Sequence, residues 1–408
     1  MKADRTTLLR MVLCFTLCLA ALPASAAPPL PQGPEIRVNT RSQTFEEPSV
    51  AVFPDGGFVV AWETGGAGNR VRFFDRQGKP AGPERGLQIR GRVQQIIADR
   101  NGSFLALSKG GTASSVTLFL RRFRRDGTPA GRLIRVSTPA SFAWQNPIAA
   151  VGPDGRLAVA WEMLIYGPDP EEGSRYANAM ARVFTSEGAP IGPDITLLAG
   201  EPASQAGDDA IYSFPVALAF KPDGTLVALV QDREASGCLQ TLLVMIPPDG
   251  GQMRRVNLGS VSCGPSRFVE GSLTVGRDGG LIATWSEQDV QAQRLAPDET
   301  PREPWFRVAK SWVDYQFDPV SALQAGGSFV IAWTEEVRDG DGKGIFGRAF
   351  AANGAPRSGD FQINVTTEGD QHNPVIAAAR QGPVVVVWMQ PTAQGGSDIF
   401  ARVLSETR

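Results

Sequence analysis

Seven short apolar runs in this chain are entered through Glu47, Val93, Asn146, Phe214, Glu270, Asp318 and Asn373, and five of these seven are carboxylates or carboxamides. If the runs line one channel, these oxygens converge at its mouth. Clustered oxygens hold hard cations, and a mixture of carboxylates and amides also suits sugar hydroxyls. The competing reading is local turn chemistry. Asn and Asp favour turns, and most of the seven positions precede a proline, which pushes the residue before it toward extended backbone. The aromatics Trp144, Tyr212, Trp312, Tyr315 and Phe317 lie close by, as does His372. Aromatics beside carboxylates suit a sugar face, and they serve equally well as packing between repeated units. A glycan hydrolase would instead draw two carboxyls from Glu47, Glu270 and Asp318. One would need a raised pKa, and the pair a separation of roughly 5–10 Å.

Other motifs carry less. "DGDGKG" (339–344) resembles a calcium loop, with Asp339 and Asp341 at alternate positions. Lys343 stands where such loops place another oxygen, and no bidentate Glu follows at the right distance. The plain alternative is a glycine-rich hairpin tip. Gly342, Gly344 and Gly347 match a dinucleotide-binding spacing but enter a strand instead of opening a helix. His372 is the only histidine, so a zinc site built on two histidines is excluded. No G-x-S-x-G turn supplies a nucleophile for it. Arg72, Arg121, Arg182, Arg348 and Arg402 recur at one position per unit. Spread that way they cannot converge on one ligand, so each is expected to pair with a neighbouring carboxylate or carbonyl. The S-x-D-x-G-x-x-W box of sialidases is missing.

What positions these residues is a repeat. "AVFPDGGFVVAWE" (51–63) returns as "AVGPDGRLAVAWE" from 150. Aligned on Gly56, Gly102, Gly155, Gly224, Gly279, Gly327 and Gly382, the copies are spaced 46, 53, 69, 55, 48 and 55 residues apart. Asp-Gly or Asn-Gly between two apolar runs predicts a β-hairpin, because glycine supplies the positive φ of a tight turn. Six residues after the glycine stands Trp62, Trp161, Trp285, Trp333 or Trp388, with Ser108 and Val230 in the other two copies. Position-locked tryptophan inside apolar strands reads as core and not as a stacking platform. A third run ends in a Gly-x-Pro turn ("RVRFFDRQGKPAG"), and a fourth follows ("DFQINVT"). Four short strands per unit, with no amphipathic helix, is the pattern of propeller blades.

The motifs "PDGGFVVAW", "RDGDGKGIFGRAF", "NGAPRSGDFQINVT" and "EGDQHNPVIAAA" resemble a repeat of large secreted and surface proteins of proteobacteria. The resemblance spans nearly all of the chain after its leader and implies a β-propeller with an extracytoplasmic life. It implies no catalytic residues.

The chain ends in "DIFARVLSETR", a third strand without a fourth, and "GPEIRVNT" near its start is a fourth strand without predecessors. The expectation is therefore an all-β, seven-bladed propeller over 27–408. Its last blade is shared between 34–40 and about 372–408, closed by N-terminal strand pairing so that neither edge stays open. Ahead of it, 1–26 reads as a signal peptide with a basic start, a short apolar core and Ala24-Ser25-Ala26. No later apolar run is long enough to span a bilayer. Export permits a disulfide between Cys238 and Cys263, the two cysteines left after the leader; two buried free thiols are the alternative. The net charge of −2 shows no basic patch of the kind nucleic-acid binders carry.

Two connections per blade are tight and two are variable, and both variable sets, which include the cysteines, are expected on one face. Variable loops on a rigid scaffold carry binding. The reading is a monomeric periplasmic or secreted module that binds a glycan or a partner protein. Its expected ligand residues are Glu47, Trp144, Asn146, Glu270, Trp312, Tyr315, Asp318, His372 and Asn373. It needs no cofactor beyond a calcium ion at Asp339 and Asp341. The alternative is the hydrolase.

Overall fold

The computed structural model describes residues 29–41, 48–65, 68–99, 101–112, 115–137, 144–166, 175–200, 212–233, 238–263, 270–287, 289–311, 315–324, 326–379, 382–393 and 395–406. The leader therefore lies outside the described residues. All regular elements among them are strands, and no described helix is long and apolar enough to cross a membrane.

The strands form seven four-stranded antiparallel blades. Their innermost strands are Ser49–Val52, Arg92–Ala98, Trp144–Val151, Tyr212–Phe220, Gly271–Val275, Gln316–Leu323 and His372–Ala378. Each contacts the next, and the seventh contacts the first, so the blades stand in a ring. Blades three and four are also joined by one parallel backbone pair, Ala177 with Tyr212. In blade seven the fourth strand is Pro29–Arg37, which runs antiparallel to Ser397–Glu406 with Ile36 opposite Ala401. It begins earlier than the expected 34–40 and carries an irregularity between Gln32 and Ile36.

The repeated turn is a tight one. Gly56 N–H donates to the Phe53 carbonyl, Phe53 N–H to that of Gly57, and Gly56 sits at φ +90°, a region closed to most side chains. The glycines at 102, 155, 224, 279 and 327 do likewise, at φ between 81° and 88°. Gly382 is not among the glycines at positive φ.

The blades hold together through apolar clusters at every junction, two of them between blades three and four. Trp62 packs against blade seven, Trp161 against blade two, Trp285 against blade four, Trp333 against blade five and Trp388 against blade six. All five are at most 1% exposed, so the repeated tryptophan is core. The degenerate copies fill the same junction otherwise. Where blade two has Ser108, Phe53, Phe104 and Phe123 cluster, with Phe104 and Phe123 stacked at 5.3 Å. Where blade four has Val230, four alanines (160, 179, 181 and 228) let the sheets approach around Leu197, Leu198 and Val244.

Polar staples repeat too. Arg72, Arg121, Arg182, Arg348 and Arg402 each donate from Nη1 to a carbonyl near the outer strand of the preceding blade: Val38, Gln88, Val136, Val308 and Ile363, at 2.7–2.9 Å. Hydrogen bonds from charged donors contribute about 1.5–3 kcal/mol each. The arginines thus pair with carbonyls, as expected, and the structure adds that these carbonyls belong to the preceding blade. An asparagine after the outer strand closes the outer edge in two blades: Asn39 Oδ1 accepts from Ile399 N–H and Asn364 Oδ1 from Ile345 N–H, both at 2.8 Å.

The cysteines do not lie in loops, as their place in the chain suggests. They sit on the third and fourth strands of blade four, Cys238–Ile246 and Arg254–Cys263, as directly opposed partners in the register. The Cys263 side chain lies outside the description.

Candidate functional site

The seven inner strands surround an axial channel with a cavity at each end. The end toward the variable loops is a cavity of about 610 Å³ lined by residues from all seven blades, among them Gln94, Asn146, Glu270, Asp318 and Asn373. The other end, about 830 Å³, is lined by the last residues of the same strands together with Asp99, Lys221, Arg277 and Gln324. There Lys221 Nζ is tied to Glu299 Oε1 and the Pro297 carbonyl, both at 2.5 Å.

Proline sets the geometry of the first mouth. Asn146-Pro147, Asp318-Pro319 and Asn373-Pro374 are each extra residues in the inner strand, two opposing the single residues Trp161, Trp333 and Trp388. Such bulges re-aim side chains. The leading residues sit at φ +46°, +50° and +54°. This is the left-handed region that Asn and Asp tolerate better than other non-glycine residues. The local-turn reading and the functional one are therefore the same feature: the turn chemistry turns a carboxamide or carboxylate into the channel lining. In blade two the bulge falls between Val93 and Gln95, so Gln94 reaches the cavity and Val93 is buried. A strict alignment on the strand entry misses this, although the Gln-Gln pair at 94–95 marks it. Phe214 lines the cavity as expected.

Hydrogen bonds chain the rim together. Asp318 N–H donates to Glu270 Oε2 at 2.7 Å. Asp318 Oδ2 in turn accepts from Thr334 Oγ1 at 2.8 Å and from Asn373 N–H at 3.3 Å. The same device recurs deeper, where Ser49 Oγ accepts from Ile96 N–H and Gln95 Oε1 from Ala149 N–H. Asn146 Nδ2 donates to Glu162 Oε2 at 3.1 Å. Glu162 follows the blade-three tryptophan and is 8% exposed, and burial pushes its carboxyl up to about 7 against the pull of the Asn146 bond. Its place after the repeated tryptophan, shared with Glu63, was the one signal in the sequence; its burial is a tertiary property.

The structure therefore brings Asn146, Glu270, Asp318 and Asn373 to one cavity. The expected Tyr315 and His372 are not among the residues lining it. Tyr315 is 57% exposed, its ring stacked on Phe317 at 6.4 Å, with Lys343 Nζ 5.1 Å from the Phe317 centroid. His372 opens the inner strand of blade seven next to Asn373 and is half-buried. Glu47, Trp312 and the side chain of Trp144 lie outside the described residues. The carboxylates of the glycine-rich loop are bonded to the segment that follows the outer strand of blade six: Asp339 Oδ2 accepts from Asn364 Nδ2 at 2.8 Å and Asp341 Oδ2 from Gly369 N–H at 3.3 Å. Among the described residues no three acidic, histidine or cysteine side chains are grouped to hold a metal ion.

The ring of four-stranded blades and its axial channel define a seven-bladed β-propeller. No protein-family model matches the chain, and no curated protein does. Among solved structures it is similar to a protein of unknown function from Dyadobacter fermentans, 14% identical with a TM-score of 0.56 over 95% of this chain and 100% of that one. It is also similar to Penicillium chrysogenum alpha-L-arabinanase complexed with arabinobiose, at 10% identity and a TM-score of 0.48 over 92% and 98% of the two chains. Trypanosoma rangeli sialidase is 16% identical with a TM-score of 0.45, over 81% of this chain and 56% of that one. At these identities the likeness extends to the fold alone.

Proposed function

We propose that this chain is an exported β-propeller that binds a hydroxyl-rich ligand, a glycan, at its loop-side channel mouth without altering it covalently. The observation that carries this reading is the cavity of about 610 Å³ into which three strained Asx-Pro bulges turn their polar groups. Left-handed backbone at a β-bulge costs about 1–3 kcal/mol per residue and persists at sites where a side chain must be aimed. Carboxamides supply both donors and acceptors, which suits hydroxyls better than a bare carboxylate cluster does.

Two features favour binding over hydrolysis. Glu270 and Asp318 each commit an oxygen to a backbone N–H of the next blade. The carboxyl held near 7 lies behind Asn146 and is not part of the lining. The described lining contains two carboxylates and no lysine, arginine or histidine, so sialic and uronic acids are disfavoured.

A glycan array probed with the mature protein tests the reading. Neutral oligosaccharides are expected to bind, and anionic ones not. Asn146→Gly keeps the left-handed backbone, Asp318→Asn keeps the Thr334 bond, and each is expected to weaken binding by about tenfold, the equivalent of one good hydrogen bond. A blank array, cleavage of the bound glycan, or unchanged binding in both variants would overturn it.

Export carries a second consequence. Opposed residues of an antiparallel pair have Cα atoms about 4.5–5.5 Å apart, within disulfide reach, so Cys238 and Cys263 are proposed to be bridged. Thiol titration of the denatured, unreduced mature protein is expected to find no free thiol. Two would refute the bridge.

A further inference from the structure

In blade three the residue after the repeated tryptophan reaches the rim. Asn146 Nδ2 donates to Glu162 Oε2 at 3.1 Å. The equivalent pair in blade six is Thr334 and Asp318, joined at 2.8 Å, and in blade seven the equivalent residue is Met389, which cannot make such a bond. The contact is thus a structural device of the repeat, and of these three blades only blade three builds it with an ionisable second-strand group. Asn146 lines the cavity, while Glu162 is buried behind it. The Asn146 backbone is fixed by φ +46° and by Pro147, which leaves side-chain rotation as its remaining freedom.

We propose that Glu162 is a positioning residue for Asn146, and that its ionisation decides whether this part of the mouth offers a ligand an acceptor or a donor. The inference rests on the mouth being the binding site. Ionised, Glu162 only accepts, so Asn146 must turn Nδ2 inward and present Oδ1 to the cavity. When a proton from solvent adds to Glu162, its O–H donates to Asn146 Oδ1. The amide then turns over and presents its N–H groups. Burial places this change near neutral pH.

The groups around Glu162 leave the change to this pair. Its cross-strand neighbours are Gln145 and Ala179, neither titratable. Among the described side chains, the ionisable groups on the neighbouring strand of its own blade are Tyr176 and Arg182, the latter paired with Asp194 at 3.2 Å, and those on the first two strands of blade four are Asp232 and Arg233. Asp232 is bonded to Ser213 Oγ at 2.7 Å. None of these groups contributes to the Glu162 shift, whose causes are burial and the Asn146 bond.

The test needs no ligand. In the folded, isotopically labelled mature protein the Asn146 side-chain amide resonance, identified by its loss in Asn146→Gly, is followed from pH 5 to 9. It is expected to shift with a midpoint near 7 and to stay put in Glu162→Gln. An Asn146 resonance that is constant over this range, or that moves equally in Glu162→Gln, overturns the proposal. The glycan array fails or succeeds separately: a titrating Asn146 with a blank array sinks the binding reading and leaves the coupling between the two residues standing.

Discussion

Replacing Glu162 by glutamine is expected to stabilise the protein at pH 8 and to leave it nearly unchanged at pH 4. Burial raises the folded-state value of this carboxyl from 4.5 to about 7. In the unfolded chain it ionises at its ordinary value. Between those limits the folded state holds the proton more tightly, so the stability linked to it is fully present below pH 4.5. That contribution is lost as pH rises through 7 and stays lost above. At about 1.4 kcal/mol per pH unit the whole loss is of the order of 3 kcal/mol. Glutamine has nothing to ionise and can still accept from Asn146, so the variant removes the cost and keeps the contact. Urea melts of both proteins at pH 4 and pH 8 measure the difference. Parallel pH dependence in the two would show that Glu162 ionises in the folded protein as it does in water.

Removing the chain through Thr40 is the second large effect. The segment enters the structure at several points. Val38 is fully buried among blade-one and blade-seven side chains, with Ile36 half-buried beside it. Val38 N–H donates to the Ile399 carbonyl at 2.8 Å, and its own carbonyl accepts from Arg72 at 2.8 Å. Arg37 pairs with Asp398 at 2.7 Å. Glu35 accepts from Thr366 through both its N–H and its hydroxyl, at 3.0 and 2.7 Å. Burial of the two aliphatic side chains alone contributes about 4 kcal/mol. Deletion also bares the edge of Ser397–Glu406, a row of unpaired backbone groups that recruits other strands. The truncated protein is expected to melt well below the intact one and to self-associate in sedimentation velocity. A monomer with the intact melting temperature would mean that the last blade is stable with three strands.

Much of this architecture was legible because the repeat is local. Hairpin turns, the buried tryptophan and the alternation of apolar residues are set within about a dozen neighbours, and they recur with a regular phase. That the arginines pair with nearby carbonyls and do not converge on a ligand also followed from their spacing, since residues placed one per blade cannot meet; that the carbonyls belong to the preceding blade did not. The degenerate copies were harder. Ser108 and Val230 look like defects in the chain, yet phenylalanines from blades one and two and alanines from blades three and four close those junctions. That compensation joins residues from different units. The cysteines illustrate the same limit, since spacing placed them near loops whereas register placed them face to face on neighbouring strands.

By itself the amino-acid order determined the number of blades and the four strands of each, and it located the inner strands to within two residues of their starts, because hydrogen-bonded turns and side-chain alternation depend on near neighbours. Only the tertiary structure decided what those positions do. A bulge shifted the rim of blade two from Val93 to Gln94. The oxygens of Glu270 and Asp318 were taken up by the next blade, and an otherwise ordinary glutamate at 162 was cut off from water. Burial and hydrogen-bond partnership depend on which distant segments crowd around a group, and that information exists only once the ring has assembled.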